Sequence, residues 1–380
     1  MITGRTKRNL TQRASVHLDM ARGLAALAVL TSHVRALFFV PYHELSRHSI
    51  PLDVLYGATT LGHQAVMVFF VLSGFLIVGS IVNSFERGTW SWTKYLVNRI
   101  VRLSLVLIPA LILCSVMDHI GMALWSTAAL YHRPVENLFT ASVAHLETVP
   151  NFFGSLFYVQ NILVWPFGSD GPLWSLSYEF WYYILFPVGL CALAGKFRTR
   201  VRVFYCAAAL GILFFVGRAI ALYFLIWLLG GIVALSLRQR EARTRFSWAN
   251  AMAIVPLLFV LGFSVSRPLS SPFFTDMIVA LGFASWVYVI AGASERHISP
   301  SYARVARWLA GFSYTLYLIH FPIVFFLRAR VHGAVWQPTF IHLVYAALIC
   351  AIAVGAAYLL SQFTEAKTEL VRHRVMGLFQ

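Results

Sequence analysis

The sequence predicts an all-α protein that crosses a membrane many times, on three observations. First, 59% of its 380 residues are hydrophobic and only 12% are charged, against about 25% charged in soluble domains. Second, the apolar residues gather into runs long enough to span a bilayer, which takes about 20 residues per helix. Third, the basic residues alternate between loops. The mean hydropathy of +0.73 agrees with the first two.

Ten membrane helices are expected, over 18–40, 61–84, 99–117, 173–194, 203–217, 219–237, 249–266, 273–291, 309–329 and 338–361. The fifth is short, and a tight turn at Gly217-Arg218 separates it from the sixth. Residues 1–17 then form a basic tail, 18–363 a transmembrane domain and 364–380 a second tail. Of the 30 Lys and Arg residues, 22 fall in the two tails and on the even-numbered loops, six on the opposite side, and Arg22 and Arg35 inside the first span. Loop arginine and lysine mark the cytoplasmic side, so both termini are expected there. The net charge of +16 is thereby a consequence of topology and gives no ground for a nucleic-acid partner. A basic tail before a short apolar core also fits a signal peptide, with Val34-Arg35-Ala36 as a weak cleavage match; the membrane helix is the preferred reading.

The first span carries the most informative residues. Arg22 and His33 are eleven positions apart, which is close to three helical turns, so they share a face about 16 Å apart along the axis. Asp19 lies one turn before Arg22. Ionisable groups are costly in hydrocarbon and belong against protein or water. A snorkelling arginine and a hydrogen-bonded core histidine are the plain alternative.

Four further clusters stand out. FFVLSGFLI, Phe69 to Ile77, has a Ser73-Gly74 pair that lets a helix or ligand come close. Arg99 and Arg102 sit a turn apart at the cytoplasmic start of the third helix, where two guanidinium groups suit phosphates or simple anchoring. GPLWSLSYEFWYYILFP, Gly171 to Pro187, brings Trp174, Ser175, Ser177, Tyr178 and Glu179 to the outer end of the fourth helix. FSYTLYLIHFPI, Phe312 to Ile323, puts Tyr317 and His320 one turn apart, with His320 about twelve residues into its span. The longest outer segment, about 118–172, holds His119, His132, Glu136, His145, Glu147 and Asp170 and reads as a lid, a re-entrant piece or an ordinary interfacial loop. Cys114, Cys191, Cys206 and Cys350 are scattered without metal or redox spacing. No metal is expected, and no Walker A, HExxH or GxSxG motif occurs.

In order and type these blocks resemble the acyltransferase family 3 membrane proteins. The family's Arg-x10-His signature looks like Arg22 and His33, and its Arg-x-x-Arg motif looks like Arg99 and Arg102. Glu365 is similar to a late family glutamate, although the usual following proline is absent. The resemblance implies transfer of an acyl group, usually acetyl from acetyl-CoA or another short acyl-CoA, to a carbohydrate or lipid-linked glycan hydroxyl at the bacterial cytoplasmic (inner) membrane, in contact with membrane lipids. On that reading Arg22, Arg99, Arg102, Asp19 and Ser73 are expected to bind the donor and His33, Glu179 and His320 to carry catalysis, while the aromatic faces and hydroxyls of Trp174, Ser175, Ser177, Tyr178 and Tyr317 suit them to bind the sugar acceptor. Glu179 is also expected to orient an imidazole, as a carboxylate does in a triad. Some family members carry an added hydrolase-like domain, which is not seen here, so transfer is expected to be direct or through a short-lived acyl-enzyme. A transporter or flippase, and a non-catalytic scaffold, are the competing classes.

Overall fold

The computed structural model describes residues 11–125, 129–133, 141–195, 197–239, 272–292, 298–331 and 333–378. Among them every regular element is helical, and pairing of extended backbone is limited to two isolated bridges, Phe39 with Trp336 and Gln160 with Val164. In chain order the helices are α1 (Gln12–Phe38), α2 (Ile50–Thr59), α3 (Gly62–Glu86), α4 (Trp92–Leu124), α5 (Ala129–His132), α6 (Val143–Leu146), α7 (Val149–Leu156), α8 (Trp174–Leu193), α9 (Thr199–Gln239), α10 (Pro272–Gly292), α11 (Pro300–Ala310), α12 (Ser313–Arg330), α13 (Phe340–Phe363) and α14 (Thr368–Gly377).

Six stretches among the described residues are long and apolar enough to cross a membrane, or seven with α11 and α12 counted as one broken span. This makes the chain a multi-helix membrane protein. Ten spans were expected. The one at 249–266 lies outside the described residues, as do Arg5, Lys7, Arg8, Glu136, Lys196, Arg240, Arg243, Arg245, Arg267 and Arg296. Helix α1 forms where expected but starts at Gln12, not Leu18. It is absent from the six because Asp19, Arg22, His33 and Arg35 dilute its apolar run. The expected fifth and sixth spans form one run, α9, broken at Gly217, whose φ of 78° only glycine adopts without strain.

Three further boundaries differ from the sequence reading. Helix α4 extends from 99–117 to Trp92–Leu124, because Ser91 accepts a hydrogen bond from Lys94 N and caps the added first turn. The 309–329 span is interrupted, so His320 is two turns into α12, not twelve residues into its helix. The tail after residue 364 folds into α14, which packs on α4.

Contacts divide the chain into two compact units. The first comprises the described residues of Met1–Leu24, Met67–Thr89 and Ala221–Ala310. Within it α3 crosses the second arm of α9 at contact distance: a methyl on Gly74 would strike the Trp227 carbonyl, and one on Gly230 the Val71 carbonyl. This is the close approach foreseen for Ser73-Gly74. Arg238 is bonded to Asn83 and Glu86 at one end of that crossing, and Tyr223 donates to Asp276 at 2.6 Å.

The second unit comprises Ala25–Val66, Trp90–Ile220 and Gly311–Gln380, again in their described residues. Helix α12 is its axis. From Ser313 to Phe325 every residue but Tyr314 is buried, and the helix packs on α4 and α13. Helix α13, by contrast, exposes Ile341, Leu348, Ile352, Leu359 and Phe363, as a lipid-facing helix does.

The described residues of 118–172, part of the second unit, are tied together by polar bonds. Asp118, on the last turns of α4, accepts from Ser169 N at 2.7 Å. Thr148 caps α7, and Asn151 Nδ2 donates to the Leu146 carbonyl at 2.8 Å. Glu147 holds His119 Nδ1 at 2.6 Å and accepts from Ser115 at 3.2 Å. Burial pushes the Glu147 carboxyl above the usual carboxylate range against the pull of His119. Burial does the same to Asp170, and the Asp118 charge adds to it.

Candidate functional site

The second unit gathers most of the sequence-selected polar residues around α12. Its centre is a pair of imidazoles. His33 Nδ1 lies 2.8 Å from His320 Nε2, with the rings stacked at 5.1 Å between centroids and 14° apart. His320 Nδ1 in turn lies 2.8 Å from the Tyr317 carbonyl and 3.0 Å from the Leu316 carbonyl. A carbonyl only accepts, so His320 Nδ1 carries a proton, and in the neutral ring Nε2 is then an acceptor. His33 Nδ1 must therefore donate to it. The chain of donors leaves the lone pair of His33 on Nε2, the nitrogen turned away from His320. Phe321 packs edge-on against the His33 ring at 4.8 Å and fixes its plane.

A second polar group adjoins through Tyr317. Its hydroxyl lies 2.6 Å from Ser175 Oγ and donates to the Pro172 carbonyl at 2.9 Å. Trp174 stands beside it at the start of α8, with Tyr178 packed edge-on at 5.1 Å. Ser177 is turned inward and spends its hydroxyl on the Trp174 carbonyl at 3.0 Å, within its own helix.

A third group forms on α4 and α8. The Arg99 guanidinium lies over the rings of Tyr95 and Tyr183, 5.6 and 5.8 Å from their centroids. Tyr95 OH donates to the Tyr183 carbonyl at 2.9 Å. Glu179 accepts from the Tyr183 hydroxyl, one turn on. Tyr183 is thus shared, its ring facing the Arg99 guanidinium and its hydroxyl bonding Glu179, with Arg102 one turn after Arg99 in α4. Glu179 therefore sits beside Arg99, with Tyr183 between them. It contacts no imidazole among the described residues, contrary to the expectation that it orients one. The i, i+4 spacing brings Tyr183 over it, while His33 is already held by His320.

The remaining selected residues are in the first unit. Arg22 pairs with Asp19 at 3.4 Å and donates to the Ala310 carbonyl at 3.2 Å. Ser73 accepts from Trp227 Nε1 at 3.1 Å.

Sequence reasoning noted Glu365 without a task for it. Its carboxylate accepts from Thr315 N at 3.1 Å and Thr315 Oγ1 at 3.0 Å, at the third residue of α12. Phe312, the residue at the N-cap position, has no side-chain acceptor to offer. Glu365 thus caps, from fifty residues away, the helix that carries Tyr317 and His320. His63, which stacks on Trp174 at 5.5 Å and 21°, was not singled out. Its signal in the sequence is a titratable residue opening an otherwise apolar helix.

The family model described as an acyltransferase domain matches residues 16–362. An O-acetyl transferase of Shigella phage Sf6 is 29% identical over 182 residues, covering 46% of this chain and 46% of its own. Acyltransferase MdmB of Streptomyces mycarofaciens is 31% identical over 196 residues, 50% of this chain and 42% of its own. An uncharacterised protein of Haemophilus influenzae is 28% identical over 152 residues, 39% of this chain and 56% of its own. The match thus spans about half the length of these relatives. No solved structure matches the chain.

Proposed function

The chain belongs to the acyltransferase domain family, and on that premise we propose that it transfers an acyl group, acetyl from acetyl-CoA foremost, to a hydroxyl of a cell-surface or secreted carbohydrate such as an exopolysaccharide, O-antigen or lipo-oligosaccharide. It works as a multi-pass enzyme of the bacterial cytoplasmic membrane. The observation that carries this reading is the His33–His320 pair, whose hydrogen bonds leave one basic nitrogen, His33 Nε2.

In the proposed reaction His33 Nε2 takes the proton of the acceptor hydroxyl as its oxygen attacks the thioester carbonyl. The new C–O bond forms, the C–S bond breaks, and the CoA thiolate leaves with the proton from the His33 imidazolium. Arg99 and Arg102 hold the CoA phosphates by charge-assisted bonds, with the Arg99 head kept in place by its two tyrosine rings. Glu179 tunes that group through Tyr183. Trp174, Ser175, Tyr178 and Tyr317 meet the carbohydrate, while Ser177 supports the helix turn. For Arg22, Asp19 and Ser73 a donor-binding role rests on family resemblance alone.

The test is transfer of labelled acetyl from acetyl-CoA to an oligosaccharide by purified protein in nanodiscs. Wild type is expected to turn over. His33→Ala is expected to lose transfer by at least about a hundredfold, as loss of a general base does, while calorimetry shows acetyl-CoA still bound. Substantial transfer by His33→Ala would remove the base from His33. A wild type that moves intact glycan across vesicles without acylating it would make the protein a transporter instead.

A further inference from the structure

His63 opens α3 and is exposed. From there to Glu86 the helix has no other ionisable side chain. Such a residue at the mouth of an apolar helix is a departure that needs a reason. Its ring lies on Trp174 at 5.5 Å with an interplanar angle of 21°. Trp174 is half-buried, and Tyr178 braces it edge-on at 5.1 Å.

Two features tie this pair to the imidazole centre within the same unit. A side chain at Gly62 would run into Ser32 Cβ and Oγ of α1, so glycine there lets the start of α3 press against the residue preceding His33. On the other side, Trp174 neighbours Ser175, which meets Tyr317 at 2.6 Å, and the Tyr317 carbonyl holds His320 at 2.8 Å. The stacked rings are thus one residue from the polar chain that ends on His33.

We propose that His63 and Trp174 form a platform for a pyranose ring of the acceptor, and that His63 is an acceptor-binding, specificity-determining residue. The inference rests on the carbohydrate acyltransfer reading above. A pyranose presents C–H faces to aromatic rings and hydroxyls at its edge. A stacked imidazole offers both a flat apolar face and a ring nitrogen able to bond a hydroxyl. Interfacial aromatic residues that anchor a helix in the headgroup layer need only an amphipathic ring at the boundary; a histidine laid flat on a tryptophan beside buried hydroxyls is built for a ligand with a face.

The test uses the full chain in nanodiscs with gluco-, galacto- and manno-configured methyl pyranosides and their oligosaccharides as probes. Calorimetry measures their Kd, and that of acetyl-CoA, for wild type, His63→Ala and His63→Phe. Acceptor KM is measured alongside. His63→Ala is expected to weaken pyranoside binding and raise acceptor KM about tenfold, within the range of aromatic pair energies, with acetyl-CoA Kd as in wild type. His63→Phe, which keeps the flat face, is expected to recover most of the binding but to change the ranking of the three sugars. Unchanged pyranoside binding in His63→Ala overturns the proposal. So does weakened acetyl-CoA binding, which would assign the rings to the donor's adenine, and so does a wild type that binds none of the probes. Pyranoside binding that depends on His63 in a protein without transfer keeps the platform and rejects the acyltransferase reading, so the two failures separate.

Discussion

Two histidines 287 positions apart share one hydrogen bond, and each gives the other its meaning. Alone, His33 is a histidine in an apolar helix, a common satisfied core residue. With Nδ1 donated to His320, it has a single basic nitrogen in a defined direction. Both His320 nitrogens are engaged, so in the proposed mechanism it acts through His33 as a positioning residue. His320→Leu should lower kcat about 10- to 100-fold, part of the general-base contribution that a misoriented His33 would lose, without changing acetyl-CoA Kd. His320→Gln retains an amide oxygen that can accept from His33 and should keep more activity than the leucine variant. Equal loss in the two variants, or a loss confined to protein stability, would reduce His320 to packing.

At the scale of elements, α12 is buried almost throughout, so its orphan N-terminal donors have no water to turn to. Glu365 supplies the acceptor. Glu365→Ala should cost about 1 kcal/mol of stability, as loss of a cap does, and should lower kcat because the capped helix carries Tyr317 and His320. Glu365→Gln keeps a neutral acceptor and should recover most of the stability. Thermal unfolding in detergent beside turnover checks both, and an unchanged midpoint in the alanine variant would mean the cap contributes nothing. Helix existence was legible from apolar runs. Helix ends were less so, since α4 and the break before α12 depend on local caps and on Gly311-Phe312, which hydropathy does not register. The arrangement of the described residues of 118–172 was not legible either, because it rests on polar bonds such as Ser169 to Asp118 across 51 residues.

For the whole molecule, the topology expected from the alternation of basic loops puts Thr89 on the cytoplasmic side and the exposed Leu163 on the other. In a background with the four cysteines replaced, Leu163→Cys should react with a membrane-impermeant maleimide in intact cells, and Thr89→Cys only after permeabilisation. The reverse pattern would invert the topology. Composition and periodicity by themselves determined that the chain is all-helical and membrane-embedded, because hydrocarbon demands runs of apolar residues whatever their neighbours. The order of five polar blocks determined its family. Which polar residues meet was decided only by tertiary structure. Helical spacing relates residues within one helix, as it does Arg22 and His33 in α1 or Tyr317 and His320 in α12. It says nothing of partners on other helices, and so His33 with His320, Ser175 with Tyr317 and Thr315 with Glu365 became visible only when the packing of α12 brought them within hydrogen-bond reach.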